Sequence, residues 1–210
     1  MLNRITYLTL ELVDGKPQHL NDVLSEIPTN VILNKTVTGC GATYTEIKTP
    51  RNSIIVEPNR PVIYGKERQE KHKDDNIKGV YQGVKQKNIV EYLEKTKRQG
   101  KFIKIMTTPE SFPKVIDALE EVDIDIRYEC FLLFDECEKI TKDCDYRQDI
   151  TLPMDLFFQC QNKAMTILSR PGMISILYSS MPSDAAWMLL LPIRYAIYLP
   201  IRERYIPVLR

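Results

Sequence analysis

Two short segments of the sequence carry residue types that can bind a phosphate group and a metal ion. The first, Thr38 to Thr43, reads T-G-C-G-A-T and follows the apolar run Val31-Ile32-Leu33. Glycines let the backbone bend so that several N–H groups face one anion, and a hydroxyl at the start of the next helix can hold Mg²⁺. The segment predicts a nucleotide loop in which Thr43 binds the metal. Its cofactor-binding residues would be Thr38, Gly39, Cys40, Gly41, Ala42 and Thr43.

The loop departs from the phosphate-binding pattern at one residue. Ala42 stands directly before the hydroxyl, where such a loop carries a lysine that reaches the phosphates. Two glycines after an apolar run also occur in ordinary turns, because glycine commonly interrupts regular structure. An ordinary turn therefore stays open as an alternative, and the prediction of a nucleotide site depends on the second segment.

The second segment is the acidic pair Asp135-Glu136, which follows the apolar run from Tyr128 to Phe134. Two carboxylates at the end of a buried strand are costly unless they hold a metal or a water. Ligands of open α/β sheets sit just beyond such strand ends, so the loop and the pair would share one edge. We expect Asp135 to bind Mg²⁺ together with Thr43, and Glu136 to orient a water beside the γ-phosphate. Alternatively, the two acids begin and cap a helix.

The elements that must position these residues can be predicted from the apolar pattern. Apolar runs predict strands at 31–34, 53–57, 101–106 and 130–134. Helical spacing of apolar residues predicts helices at 17–27, 85–98 and 113–122. Strands that alternate with helices indicate an α/β fold with a mostly parallel sheet and helices on both faces. The charged residues of 64–76 predict a solvated face or a mobile loop, with contact to an acidic partner as the alternative.

Composition places the chain among ordinary globular proteins. The 210 residues are 43% hydrophobic with a net charge of +1, so the total charge favours neither nucleic acid nor a membrane surface. The N-terminus resembles no signal segment, and the five cysteines form no C-x-x-C pair, which predicts reduced thiols and a cytoplasmic location. The apolar stretch 185–201 contains two prolines and Arg194, so we expect no membrane span.

The order of four motifs along the chain resembles that in the first RecA-like domain of superfamily 2 helicases, the DEAD-like group of P-loop NTPases. The family loop A-x-T-G-x-G-K-T is similar to T-V-T-G-C-G-A-T at 36–43, and its D-E-x-x motif is similar to D-E-C-E at 135–138. Residues 57–60, E-P-N-R, resemble the family's P-T-R segment, and residues 104–112 resemble its strand followed by T-P-E-x-L. The four landmarks cover residues 30 to about 140.

The resemblance implies ATP and Mg²⁺ as cofactors and DNA or RNA as a partner. It assigns contacts with the nucleic-acid backbone to Arg60, Thr108 and Pro109, and catalytic roles to Asp135 and Glu136. Three departures reduce what it implies. Ala42 replaces the lysine, the S-A-T segment is replaced by Ser169-Arg170-Pro171-Gly172, and no second RecA-like lobe follows.

We therefore expect a degenerate helicase-type domain at 1–172 that binds ATP, Mg²⁺ and nucleic acid but is at most a weak ATPase. A protein partner would supply the second lobe, and a mobile genetic element is the expected source. Residues 173–210 are expected to be an atypical apolar tail containing prolines, with truncation or a shifted reading frame as one interpretation. The alternative is a non-enzymatic interaction module that keeps the RecA-like scaffold and has lost the nucleotide.

Overall fold

The computed structural model of the chain describes residues 5–8, 10–13, 16–35, 39–139, 153–167 and 195–198. Thr38 of the predicted nucleotide loop lies outside these residues, as do residues 169–172 and most of the predicted tail. The remaining loop residues and the acidic pair lie within them.

Ten strands lie within the described residues. They are β1 Ile5–Tyr7, β2 Leu12–Val13, β3 Lys16–Pro17, β4 Val31–Asn34, β5 Ser53–Val56, β6 Ile77–Val80, β7 Lys104–Thr107, β8 Phe131–Phe134, β9 Lys163–Ile167 and β10 Tyr195–Tyr198. Eight of them form one sheet in the order β1-β10-β4-β9-β8-β5-β7-β6, and every neighbouring pair in it is parallel. Strands β2 and β3 form a separate antiparallel hairpin.

Helices connect the strands. They are α1 Leu20–Val23, α2 Ala42–Lys48, α3 Arg60–Arg68, α4 Gln86–Arg98, α5 Phe112–Glu121, α6 Ile126–Glu129 and α7 Met154–Gln159, with short 3-10 helices at Glu70–His72 and Pro109–Ser111. Parallel strands require such crossovers, because the chain must return to the same end of the sheet before each new strand.

Both faces of the sheet are covered, because alternate residues of each strand enter different apolar clusters. In β8, Leu132 and Phe134 join the cluster that contains residues of α4, α5 and α7, whereas Phe131 and Leu133 join the one that contains residues of α1, α2 and α3. A strand packed on both faces is apolar throughout, as β8 is. The predicted fold class, a parallel α/β sheet with helices on both faces, is confirmed.

Several predicted boundaries were wrong at the strand entrances. The run 101–106 becomes a strand only at Lys104, because Phe102 is exposed and Asn52 binds the Ile103 N–H through its side chain at 3.0 Å. The run from Tyr128 contains the end of α6, where the Asp125 side chain accepts a hydrogen bond from the Arg127 N–H at 2.9 Å. Local capping competes with strand formation at such positions.

The charged segment 64–76 is not a loop throughout. It contains the second half of α3 and the 3-10 helix Glu70–His72. Asp75 anchors it, since Lys48 Nζ lies 2.7 Å from Asp75 Oδ1 and the Nδ1 of buried His72 lies 2.7 Å from Oδ2. The predicted helix 17–27 is also shorter, because the backbone becomes extended at Leu24.

Strand β10 comes from beyond residue 172, where we predicted a domain boundary. It lies between β1 and β4 and is parallel to both. The division into 1–172 and a tail stays a prediction. Within the described ranges, no helix combines the length and the apolar composition that crossing a bilayer requires.

Candidate nucleotide site

Four neighbouring strands end at one edge of the sheet and bring distant polar residues together. Lys35 follows β4, Asp135 follows β8, Glu57 follows β5, and Thr166 is the penultimate residue of β9. Carboxyl ends of parallel strands share one edge, which is the usual position of ligands in open α/β sheets.

Asp135 is the centre of this edge, and both of its carboxylate oxygens have partners. Its Oδ1 lies 2.6 Å from Lys35 Nζ and also accepts hydrogen bonds from the Thr166 hydroxyl and, at 3.1 Å, from the Glu136 N–H. Its Oδ2 accepts a hydrogen bond from the Thr43 hydroxyl. The loop and the acidic motif are therefore in direct contact.

The Lys35–Asp135 pair is ionised although it is buried. The exposed fraction is 7% for Lys35 and 3% for Asp135. Burial by itself would raise the pKa of Asp135, but the adjacent ammonium and the hydroxyl donors hold it below its usual value. Burial by itself would lower the pKa of Lys35, and Asp135 more than offsets this, so the pKa of Lys35 is raised.

The loop conformation requires its glycines. Gly39 and Gly41 have φ angles of 77° and 90°, in the left-handed region that glycine adopts without steric cost. A Cβ at Gly41 would also lie 3.3 Å from the Cβ of His19. The Cys40 carbonyl accepts a hydrogen bond from the Leu20 N–H at 2.7 Å, so α1 holds the loop in place.

Cys40 and Ala42 are buried, although both also line the cavity at this edge. Burial raises the pKa of the Cys40 thiol, which keeps it protonated at neutral pH. Ala42 is the first residue of α2 and belongs to the apolar cluster that includes Leu20 and Ile47. The position that carries lysine in the loops it resembles is thus an apolar contact here.

Glu136 is held in a defined position beside Asp135. Its φ angle is 53°, an uncommon value for a residue other than glycine. Its Oε2 accepts a hydrogen bond from Asn59 Nδ2 at 2.7 Å and forms an ion pair with Lys139. The Asn59 amide and backbone N–H also donate to Glu57 Oε1, at 2.8 and 2.9 Å, so Asn59 joins two carboxyl groups.

The surroundings of Glu57 favour its protonated form. Burial, and then the negative charges of Asp135 and Glu136, raise the pKa of Glu57 to about 8. The site therefore combines an ionised carboxylate at Asp135 with a protonated carboxyl at Glu57. Environments that separate the pKa values of neighbouring acids are common at functional sites.

These groups line a cavity of about 560 Å³. Its lining includes the loop residues Gly39 to Thr43, the three acids Glu57, Asp135 and Glu136, and three lysines, Lys35, Lys66 and Lys71. Burial and the neighbouring ammonium of Lys71 lower the pKa of Lys66. The size is that of a small-molecule site, with more charge than most such sites have.

The residues at this edge fit one Mg²⁺. Thr43 and Asp135 supply a hydroxyl and a carboxylate oxygen already within hydrogen-bonding distance of each other, and hard cations of this kind prefer oxygen ligands with waters completing the shell. Within the described part of the chain there is no preformed group of three or more His, Cys, Asp or Glu side chains in metal-binding proximity. A metal here would therefore depend on water and phosphate oxygens for its other ligands.

The candidate nucleic-acid residues lie apart from this cavity. Arg60 is exposed, with its guanidinium 4.8 Å from the centre of the Tyr81 ring. Thr108 and Pro109 follow β7 and are buried, and the Thr108 N–H donates to the Val80 carbonyl at 3.1 Å. None of these three described residues is among those that line the cavity.

The sequence analysis assigned no site role to four residues of this edge. Glu57, Asn59 and Thr166 hold or neighbour the acidic pair, and Lys35 pairs with Asp135. The available signal was the position of Lys35, Glu57 and Thr166 at the end of an apolar run that predicts a strand. Their convergence depends on strand order, which periodicity does not determine.

No family model matches the chain, and no curated protein matches it either. The solved structures that are similar to it include the following three. A DEAD box protein from Methanococcus jannaschii has 14% identity and a TM-score of 0.46, with 81% of this chain and 45% of that one covered. A hypothetical ATP-dependent RNA helicase from Sulfolobus tokodaii has 15% identity and a TM-score of 0.47, with coverage of 81% and 48%. The Hef helicase domain of Pyrococcus furiosus has 10% identity and a TM-score of 0.47, with coverage of 85% and 39%. The chain spans less than half the length of each.

Proposed function

We propose that this chain is a helicase-type nucleotide-binding domain that binds ATP with Mg²⁺ and hydrolyses it slowly or not at all. The observation that carries the proposal is the hydrogen bond from the Thr43 hydroxyl to Asp135. It joins the glycine loop to the acidic motif at the strand ends, beside a cavity of suitable size. The order of the four sequence motifs supports the same assignment.

Each residue has a chemical role in this proposal. The loop Gly39–Thr43 would contact the phosphates through backbone N–H groups, while Thr43 and Asp135 would hold Mg²⁺, which neutralises phosphate charge when bound. Glu136 would orient the attacking water, and Asn59 keeps its carboxylate in position through the 2.7 Å hydrogen bond. Protonated Glu57 adds a neutral group that does not repel a polyanion.

A titration with ATP tests the proposal. We expect binding in the presence of Mg²⁺, and Thr43→Val or Asp135→Asn to remove its Mg²⁺-dependent part, a loss of about tenfold or more for one charged contact. Asp117→Asn is the matched control, because Asp117 is exposed on α5. Calorimetry with MgCl₂ and with EDTA separates the two contributions. A folded chain that binds no ATP at millimolar concentration would contradict the proposal.

Hydrolysis is expected to be slow because position 42 offers no cation to the transferred phosphoryl group. Turnover of about 1 s⁻¹ or faster, a rate ordinary for enzymes, would contradict the expectation of slow hydrolysis. The assay is ATP turnover by the 210-residue chain with and without nucleic acid.

We also propose that the chain binds nucleic acid and that a protein partner supplies a second lobe. The protein would be cytoplasmic and would come from a mobile genetic element. Arg60 is exposed outside the cavity, so it is accessible to a phosphate backbone. An Arg60→Ala variant with reduced binding of DNA or RNA would support that role.

One observation favours the alternative of a non-enzymatic interaction module. Asp135 has its hydrogen bonds and its charge balanced internally by Lys35, Thr43 and Thr166. Such a network can serve stability alone. The ATP titration separates the two functions, since only the first requires a nucleotide.

A further inference from the structure

Lys35 is the most deeply buried of the lysines that line the cavity within the described part of the chain. Lys66 is half-buried and Lys71 is exposed. Lys35 Nζ lies 2.6 Å from Asp135 Oδ1, and the other oxygen of that carboxylate accepts the Thr43 hydroxyl. One carboxylate thus separates the Lys35 ammonium from the last residue of the glycine loop.

The backbone of Lys35 is fixed, whereas its side chain has a long unbranched stem. The Lys35 N–H donates to the Ile167 carbonyl at 2.8 Å, which extends the pairing of β4 with β9 by one residue. A lysine ammonium is a compact charge on a flexible stem of four carbons. It can exchange one oxygen partner for another without any change in the sheet.

A cation beside Asp135 would favour the entry of a polyphosphate into the cavity. A polyphosphate that enters the cavity approaches the Asp135 carboxylate, and like charges at short range repel each other strongly in a partly buried site. Buried Ala42 supplies no compensating charge. The Lys35 ammonium lies beside the Asp135 carboxylate, so it can reduce the repulsion between that carboxylate and the phosphates.

We propose that Lys35 supplies the phosphate-binding cation of this site, from the strand before the loop instead of from position 42. In the free protein its ammonium pairs with Asp135, and with a nucleoside triphosphate present it pairs with phosphate oxygens. The inference rests on the proposed function and names the residue that makes it possible without the usual lysine.

An exchange of partners has a consequence that a purely structural ion pair lacks. Asp135 competes with phosphate for the same ammonium, so removal of its charge should release Lys35. In EDTA, where no metal contributes, Asp135→Asn should bind ATP several-fold more tightly than the unaltered chain. Lys35→Met should bind ATP about ten- to hundredfold more weakly, the effect of one charged hydrogen bond.

The experiment compares four proteins in EDTA by calorimetric titration with ATP: the unaltered chain, Asp135→Asn, Lys35→Met and the double variant Lys35→Met/Asp135→Asn. The double variant is included because Lys35→Met alone leaves a buried carboxylate unpaired and can unfold the protein. Lys95→Met, on the exposed side of α4, is the matched control and should bind as the unaltered chain does. Circular dichroism establishes that each variant is folded.

Weaker binding by the double variant than by Asp135→Asn, together with tighter binding by Asp135→Asn than by the unaltered chain, is the expected result. Equal affinity of Asp135→Asn and the double variant would overturn the inference while leaving the proposed function intact. Lys66→Met is titrated as well. If it weakens ATP binding while Lys35→Met does not, the inference is overturned in the same way. No ATP binding by the unaltered chain or Asp135→Asn, with or without Mg²⁺, would overturn both.

Discussion

At the scale of single residues, the two buried acids Asp135 and Glu57 differ in charge. Asp135 keeps its charge because Lys35 and two hydroxyls face it, whereas Glu57 is buried beside two negative groups and holds a proton. Both carboxyl groups are almost fully buried, so their different states come from their neighbours and not from exposure. Two acids at one sheet edge thereby acquire different chemistry.

The raised pKa of Glu57 predicts how the free energy of unfolding depends on pH. Between its unfolded pKa of about 4.3 and its folded pKa of about 8, the folded state holds a proton that the unfolded state releases. The free energy of unfolding therefore falls as pH rises through this window, by up to about 1.4 kcal/mol per pH unit. Glu57→Gln, which keeps a neutral side chain, should remove this slope.

The effect is measured by urea unfolding of both proteins at three pH values within that window, about 5.5, 6.5 and 7.5. The variant should gain stability relative to the unaltered chain as pH rises. Glu94→Gln on exposed α4 is the control and should show no such gain. Parallel pH profiles for Glu57→Gln and the unaltered chain would mean that Glu57 is ionised in the fold.

At the scale of elements, α2 is held by a buried lysine at its C-terminal end. Lys104 Nζ donates to the carbonyls of Glu46 and Thr49, at 2.8 and 2.7 Å, and to Ser53 Oγ at 3.0 Å. The last carbonyls of a helix have no partner within the helix, so a cation there satisfies them. Lys104 thus ties α2, which carries Thr43, to strands β5 and β7.

Lys104→Met should destabilise the fold by about 1–3 kcal/mol, because it leaves buried carbonyls without a donor. The urea midpoint should fall while the dependence on urea concentration stays the same. Lys101→Met, three residues earlier and exposed, is the matched control. An unchanged midpoint would indicate that water replaces the ammonium at these carbonyls.

At the scale of the whole molecule, the sheet joins distant parts of the chain. Strand β10 lies between β1 and β4, and β4 leads into Lys35 and the glycine loop. The segment beyond residue 172 thereby contributes to the same sheet as the candidate site, whatever its origin.

Removal of residues 173–210 should therefore destabilise the protein by several kcal/mol. A backbone hydrogen bond contributes about 0.5–1.5 kcal/mol, and the deletion removes a four-residue strand that is paired on both sides. It also exposes two strand edges that favour aggregation. Thermal unfolding of chain 1–172 beside the full chain tests this, and equal melting temperatures would show that the segment is an independent tail.

The fold class followed from the sequence alone, which also predicted where a nucleotide site would lie. Apolar runs of strand length and the periodic segments between them are local properties, which is why the parallel sheet and the cores of β4, β5, β7 and β8 could be predicted. The prediction failed in charged segments, where a few polar contacts decide whether the backbone is helical. The segment 64–76 became partly helical because Asp75 pairs with Lys48 and contacts His72, and neither contact is visible in composition.

Only the tertiary structure decided which residues meet. Thr43 and Asp135 were expected at one edge, but the order of β4, β9, β8 and β5 also brought Lys35, Glu57 and Thr166 to it. Strand order depends on the free energy of packing the whole chain, so no single segment encodes it. The protonation of Glu57 and the pairing of Lys35 follow from that order, because both depend on charges supplied by other strands.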